Sequence, residues 1–288
     1  MMRVLLVPVS ARPESKAALQ VATGLANRLD ANVIGCHLRP HRDPSMGYKT
    51  AGLPLFGSAD REWLDELGKK STESEARKAQ QAFEQGIAEA GFKLARRPRL
   101  DVQRSAIWQE KVGAPDKVMS IMGPVADLTV VTRPAKKSNV ARLFLMAALM
   151  HSGRPVLILP PAQTKTPGKR IAIAWNQSPE IARVVSACMP LIQQAEEVSI
   201  ISCGLENRLG PKANQLQGYL KYYGVNAKVM TTRGKNEELE LLAAYKKANS
   251  DLLLMGAYSR PRFREVVFGG MTQYMLVKAK IPIIMQHA

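Results

Sequence analysis

The sequence predicts an α/β protein built as two tandem, doubly wound, open parallel sheets, one in each half of the chain. Three observations predict it. Short and nearly continuous apolar runs, such as VLLVPV, DLLLM and RPVLILP, have the length and composition of strands buried on both faces. The segments between them carry apolar residues at helical spacing, so strands and helices alternate. Finally, the stretch ADLTVVTRPAKKSNVARLFLMAALMHSGRPVLILPP at 126–161 has the same order as SDLLLMGAYSRPRFREVVFGGMTQYMLVKAKIPIIMQ at 250–286: strand, basic loop, helix, strand. A recurrence of that kind predicts that one domain occurs twice.

In the first half, Val4 to Val9 is an apolar strand, and Pro13 to Leu29 places Ala17, Ala18, Val21, Leu25 and Leu29 on one helical face. Asn32 to Leu38 is the next strand. A polar Gly/Pro-rich passage from Arg39 to Ser58 leads into a long amphipathic segment over 59–90, on which Glu73 and Glu75 read as a solvated face. A strand region at Phe92 to Arg104, a helix at Glu110 to Met122 and a strand at Leu128 to Val131 follow. A helix at Val140 to His151 and a strand at Pro155 to Leu159 complete the half.

The stretch PPAQTKTPGK has the Pro, Gly and Thr content of a boundary. We divide the chain into a first domain at 1–161, with a loop–helix insertion at about 39–80, a linker at 162–169, and a second domain at 170–288. The second half reads as strand Arg170 to Trp175, helix Ser178 to Gln194, strand Val198 to Cys203, helix Pro211 to Tyr223 and strand Val225 to Thr231. Helix Asn236 to Asn249, strand Leu252 to Met255, helix Gly270 to Ala279 and strand Ile283 to Gln286 complete it. Asp127 to Pro155 and Asp251 to Pro282 keep nearly equal spacing. The longer distance from Arg3 to Asp127 than from Arg170 to Asp251 matches the insertion. The closing strands of the two halves predict a pseudo-twofold pairing of the domains, and a homodimer stays open.

Composition narrows the function. A formal charge of +17 favours anionic partners, yet both halves are net basic and aromatics are only 6%, without a basic stripe interleaved with aromatics. We expect no dedicated nucleic-acid binding. No apolar run approaches the roughly 20 residues that span a bilayer, and the amino terminus lacks a signal peptide's pattern, so the expectation is a cytoplasmic protein with no membrane insertion. Cys36, Cys188 and Cys203 sit among apolar residues and read as reduced core thiols, not as a metal site. The four histidines are scattered, no nucleophile elbow or paired carboxylates appear, and GxxxxGK[ST] is absent, so no catalytic residue is assigned.

The binding candidates lie at the carboxyl edge of the second sheet, where open α/β sheets take their ligands. Gly256 ends a strand, and Gly269-Gly270 opens a helix whose bare amide groups and positive dipole end suit a phosphate. Thr272 offers a hydroxyl, and Arg260, Arg262 and Arg264 raise the local potential against Glu265. The same glycines also suit a plain tight turn and helix start. In the first half Arg133, Lys136 and Lys137 either attract an anion or decorate a solvated loop.

These residues resemble the universal stress protein family in its tandem form. Its nucleotide-binding signature is Gly, two residues, Gly, nine residues, Gly, then Ser or Thr. The chain has Gly256, then Ser259 at the second glycine, then RPRFREVVF, then Gly269 with Gly270 at the hydroxyl position and Thr272 two beyond. The family's Asp-Gly-Ser after the first strand is met by Asn176, Gln177 and Ser178 in IAIAWNQS. In the first half Ser10 holds that serine's position, while Thr132, Ala135 and Leu145 stand where glycines belong. The resemblance implies a Usp-like fold of the adenine-nucleotide alpha-hydrolase type, with ATP or another adenine nucleotide held in the second domain only by Ala174, Asn176, Met255, Gly256, Ser259, Gly269, Gly270, Met271 and Thr272. It also implies a stress-response role through contacts with a protein partner, and at most slow ATP hydrolysis. The alternative is a ligand-free interaction module whose insertion helix contacts a partner.

Overall fold

Strands of Val, Ile and Leu with few polar positions need cover on both faces, and right-handed parallel crossovers provide it. The computed structural model describes residues 1–39, 73–98, 104–133, 139–204, 206, 209–257 and 270–287. Two units result, Met2–Thr166 and Pro167–Ala288 with Met1.

In the first unit the order is β1 (Val4–Pro8), α1 (Pro13–Leu29), β2 (Asn32–Arg39), α2 (Glu73–Glu89), β3 (Lys93–Ala95) and β4 (Ser105–Val112). It continues with α3 (Pro115–Met122), a 3₁₀ turn at Gly123–Val125, β5 (Leu128–Thr132), α4 (Asn139–His151) and β6 (Val156–Leu159). The strands run parallel in the order β3-β4-β2-β1-β5-β6. Helix α1 begins with Pro13, whose missing N–H costs nothing in a first turn, and stops at Asp30 in the left-handed region, φ 54°. It packs on α2, while α3 packs on α4. Helix α2 buries Ala76, Ala79, Phe83 and Ile87 and leaves Glu73 and Glu75 exposed, as the periodicity predicts. Phe83 lies directly over Gly35, where any Cβ would collide with its ring.

Two readings of this unit change. The predicted helix at 110–122 starts only at Pro115, because Ser105–Val112 is a strand that pairs along β2 from Val33↔Ala106 to Arg39↔Val112. Of the strand region read at 92–104, the described residues hold β3, a short edge strand, while 99–103 lie outside the described residues. The expected insertion at 39–80 lies outside the described residues except for Arg39 and the first turns of α2.

In the second unit the order is β7 (Arg170–Ala174), α5 (Pro179–Ala187), α6 (Met189–Gln193), β8 (Glu197–Cys203), α7 (Ala213–Lys221) and β9 (Ala227–Thr232). It closes with α8 (Glu237–Lys247), β10 (Leu252–Gly256), α9 (Gly270–Val277) and β11 (Ile283–Gln286). All strands are parallel, in the order β9-β8-β7-β10-β11. The single helix expected at 178–194 is broken at Cys188, where ψ is 8°, since Pro190 in the next turn cannot continue the ladder.

The same carboxylate device opens both sheets. Asp127 accepts from the backbone N–H of Arg3 at 2.7 Å and Val4 at 2.9 Å, tying β1 to the start of β5. Asp251 accepts from Gly168 at 3.0 Å, Lys169 at 3.2 Å and Arg170 at 2.9 Å, tying β7 to the start of β10. In each unit the strand order reverses beside the first strand, between β1 and β5 and between β7 and β10. A crevice forms at such a switch point, outside the carboxyl ends of the strands.

Candidate functional site

In the second unit the crevice lies above β7 and β10, which pair through Ile171↔Leu252, Ala172↔Leu253 and Ile173↔Leu254. That register carries Ala174, Asn176, Met255 and Gly256 to one edge. Helix α9 joins two parallel strands, so its first residues Gly270, Met271 and Thr272 also stand at the carboxyl edge. Ser259 and Gly269, together with Arg260, Arg262, Arg264 and Glu265, lie outside the described residues.

The turn after β7 is built by its side chains. Gln177 sits at φ 62° and is buried, 6% exposed. The left-handed backbone explains why glycine suits this position; for glutamine the strain is about 1–2 kcal/mol. Its amide partly offsets that by donating from Nε2 to the Gly210 carbonyl at 2.8 Å. Trp175 Nε1 donates to the Pro211 carbonyl at 2.7 Å, so residues 210–211 are clamped against the turn. Gly210 is required there, since a Cβ would lie 2.4 Å from the Gln177 carbonyl oxygen.

Ser178 caps α5, accepting from the Ile181 N–H, and its own N–H donates to Asn176 Oδ1 at 3.2 Å. Asn176 is exposed, but its acceptor oxygen already closes this local turn.

Gly256 has a different physical cause from the one its motif suggests. A Cβ on it would lie 2.8 Å from Glu180 Cβ and 2.9 Å from the Ile181 nitrogen, so the glycine lets the first turn of α5 rest on the end of β10. Glu180 is thereby placed beside the end of β10, at the strand-order reversal. Its Oε2 is buried and has no hydrogen-bond partner, and Glu180 makes no ion pair with a described residue.

Gly270 is exposed at the start of α9, with Glu238 nearby: a Cβ on Gly270 would lie 3.1 Å from Glu238 Oε1. Glu238 belongs to the acidic first turn of α8, which Asn236 caps by accepting from the Leu239 N–H at 3.0 Å. A carboxylate therefore meets the positive end of α9 from within the unit. Thr272 is buried, 6% exposed, in the first turn of the same helix. Glu180 and Glu238 were missed by the motif reading. Their signal was present as acidic residues two positions after the capping Ser178 and Asn236.

The first unit's edge is built differently. Ser10 Oγ and Ser15 Oγ are 2.8 Å apart and close the turn after β1. Leu145 is buried in α4, and Ala135, Lys136 and Lys137 lie outside the described residues. Arg133 corrects the expectation of a solvated loop: it is 6% exposed, and burial pushes its guanidinium down to about 10. His37 is buried, its Nδ1 bonded to the Val9 carbonyl at 2.8 Å and its ring stacked on Trp108.

Burial raises the Cys36 and Cys188 thiols to about 12, and Cys203, half-buried, is also raised. Among the described residues no cluster of three metal-ligating side chains occurs, and no helix is long and apolar enough to cross a membrane.

No protein-family model matches the sequence, and no curated protein matches it. Solved structures do match the fold. A universal stress protein from Archaeoglobus fulgidus DSM 4304 is similar over 99% of this chain and 98% of its own, with a TM-score of 0.69 at 14% identity. A Pseudomonas aeruginosa UCBPP-PA14 protein provisionally assigned to the universal stress proteins matches 99% of this chain and 93% of its own, with a TM-score of 0.53 at 10% identity. A protein of unknown function from P. aeruginosa PAO1 matches 99% and 92%, with a TM-score of 0.52 at 10% identity. Across nearly its whole length, this chain has the fold of the universal stress proteins.

Proposed function

We propose that the chain is a stress-response protein of the universal stress type that holds a nucleotide or another phosphate-bearing ligand in its second unit and signals through protein contacts. The observation that carries this reading is the convergence at one switch point: the strand ends at Asn176 and Gly256 flank a crevice, and α9 opens at the same edge with the exposed Gly270. Bare amides at a helix start bind phosphate, and a side-chain acceptor beside them suits a nucleoside. Ala174, Asn176, Met255, Gly256, Gly270, Met271 and Thr272 are the described residues of that site; Ser259 and Gly269 complete the motif in sequence. An adenine nucleotide such as ATP would supply the phosphate and the donor groups. The chain's own residues would orient it, and no catalytic step is assigned.

The test is calorimetry and thermal shift with ATP, AMP, cyclic nucleotides and inorganic phosphate. A ligand at 100 times its dissociation constant stabilises by about 2.7 kcal/mol. A rise in melting temperature with a nucleotide is expected; no shift with any of the four contradicts the proposal.

One observation favours a second reading, the ligand-free interaction module. Glu238 stands beside the start of α9 and supplies negative charge there without a guest. Glu238→Gln separates the two. Under the nucleotide reading it tightens phosphate-bearing ligands several-fold by removing repulsion, about 1 kcal/mol at one helix end. Under the module reading it binds none.

A further inference from the structure

We infer that Glu180 is the recognition carboxylate of this crevice, and that the guest it fits presents hydroxyl or amine donors, as a nucleoside does, rather than phosphate alone. The inference rests on the proposed ligand site and names what that site reads.

Three independent observations converge on Glu180. Its position is fixed by packing, because the missing side chain of Gly256 draws the first turn of α5 onto the end of β10, at the strand-order reversal. Its Oε2 is buried without a hydrogen-bond partner, an unusual state for a carboxylate oxygen. And the acceptor expected from the family resemblance, the side chain at 176, is an amide whose oxygen already receives the Ser178 N–H at 3.2 Å. An engaged acceptor thus sits on the exposed Asn176, and a buried, unmet one on the half-buried Glu180, four residues along the chain.

The chemistry of that oxygen selects the guest. A carboxylate only accepts hydrogen bonds when ionised, and a phosphate group offers acceptors and like charge, so the two repel. Vicinal ribose hydroxyls or an exocyclic base amine donate, and either would meet the orphaned oxygen with a charge-assisted bond. Glu180 stands in the first turn of α5, at the positive end of that helix. Phosphate belongs at the other helix start, that of α9. On this arrangement the two helix ends read opposite parts of one molecule: α9 the phosphate, and Glu180 on α5 the nucleoside.

The experiment is calorimetry on the full chain at fixed ionic strength, with adenosine, AMP, ATP and inorganic triphosphate as probes, comparing wild type with Glu180→Gln. Gln keeps the shape and removes the charge. We expect adenosine and AMP to weaken about 10- to 100-fold, the range for one lost charge-assisted bond, while triphosphate is unchanged or tighter. Inosine and 2′,3′-dideoxyadenosine then divide the donors: the analogue lacking the relevant group binds wild type weakly and is insensitive to the substitution. A melting temperature of the unliganded variant at or above wild type shows that the variant folds. Equal loss for every probe, or no loss for adenosine, overturns the role of Glu180. If wild type binds triphosphate but not adenosine, this inference falls while the phosphate reading stands. If wild type binds none of the probes, both fall.

Discussion

The sharpest structural prediction concerns Gly256→Ala. The added methyl would lie 2.8 Å from Glu180 Cβ and 2.9 Å from the Ile181 nitrogen, and neither is the free end of a flexible chain. Helix α5 must therefore shift away from β10. Overpacking of this kind costs about 1–3 kcal/mol. For a unit the size of Pro167–Ala288, an unfolding entropy of about 2.1 cal/mol/K per residue converts this to a fall of roughly 4–12 °C in melting temperature. Scanning calorimetry reads it directly. Gly270→Ala is the control: among the described residues its methyl would meet only the end of Glu238, at 3.1 Å, and the change should stay within about 0.5 kcal/mol. If Gly256→Ala melts within a degree of wild type, the close seating of α5 on β10 is wrong. If it keeps its stability but loses ligand, the glycine serves the guest and not the packing.

Two further outcomes follow from the same physics. Asp251→Ala strands the N–H groups of Gly168, Lys169 and Arg170 and should cost about 2–3 kcal/mol, whereas Asp251→Asn, which keeps an acceptor, should cost about half as much; chemical denaturation measures both. Because burial raises Cys36 and Cys188 from an ordinary value near 9 to about 12, both stay protonated in the folded chain while the unfolded chain ionises first. The stability they contribute is therefore full below about pH 9 and declines as pH climbs toward 12. At pH 8 iodoacetamide should label Cys203 before either of them, and mass-resolved labelling in the opposite order contradicts their burial.

Much of the fold was legible because double-sided burial leaves a loud pattern. LLLM and VLIL could be little else than core strands, and α1 was bounded by its own Pro13 and by the return to polar residues at Asp30. The strand at Ser105–Val112 was misread because its second half, QEKV, is polar on an open edge, although Gly113 and Pro115 marked where the helix begins. The break at Cys188 was signalled by Pro190 and passed over.

The site was legible only as spacing. What the glycine at 256 is for depends on α5, far away in sequence. That Gln177 takes a left-handed backbone, that Arg133 is buried, and that Glu180 and Glu238 stand beside Gly256 and Gly270 are facts of packing between segments. Motif spacing carries no information about which side chains meet there.

The central claim, that a nucleotide sits at the switch point of the second unit, is tested most directly by hydrogen–deuterium exchange of the full chain with and without ATP. A nucleotide bound there slows exchange in peptides covering residues 174–181, 255–257 and 270–277, with the first unit's 8–15 and 132–133 unchanged. Protection confined to the first unit, or none anywhere at saturating ATP, would contradict it.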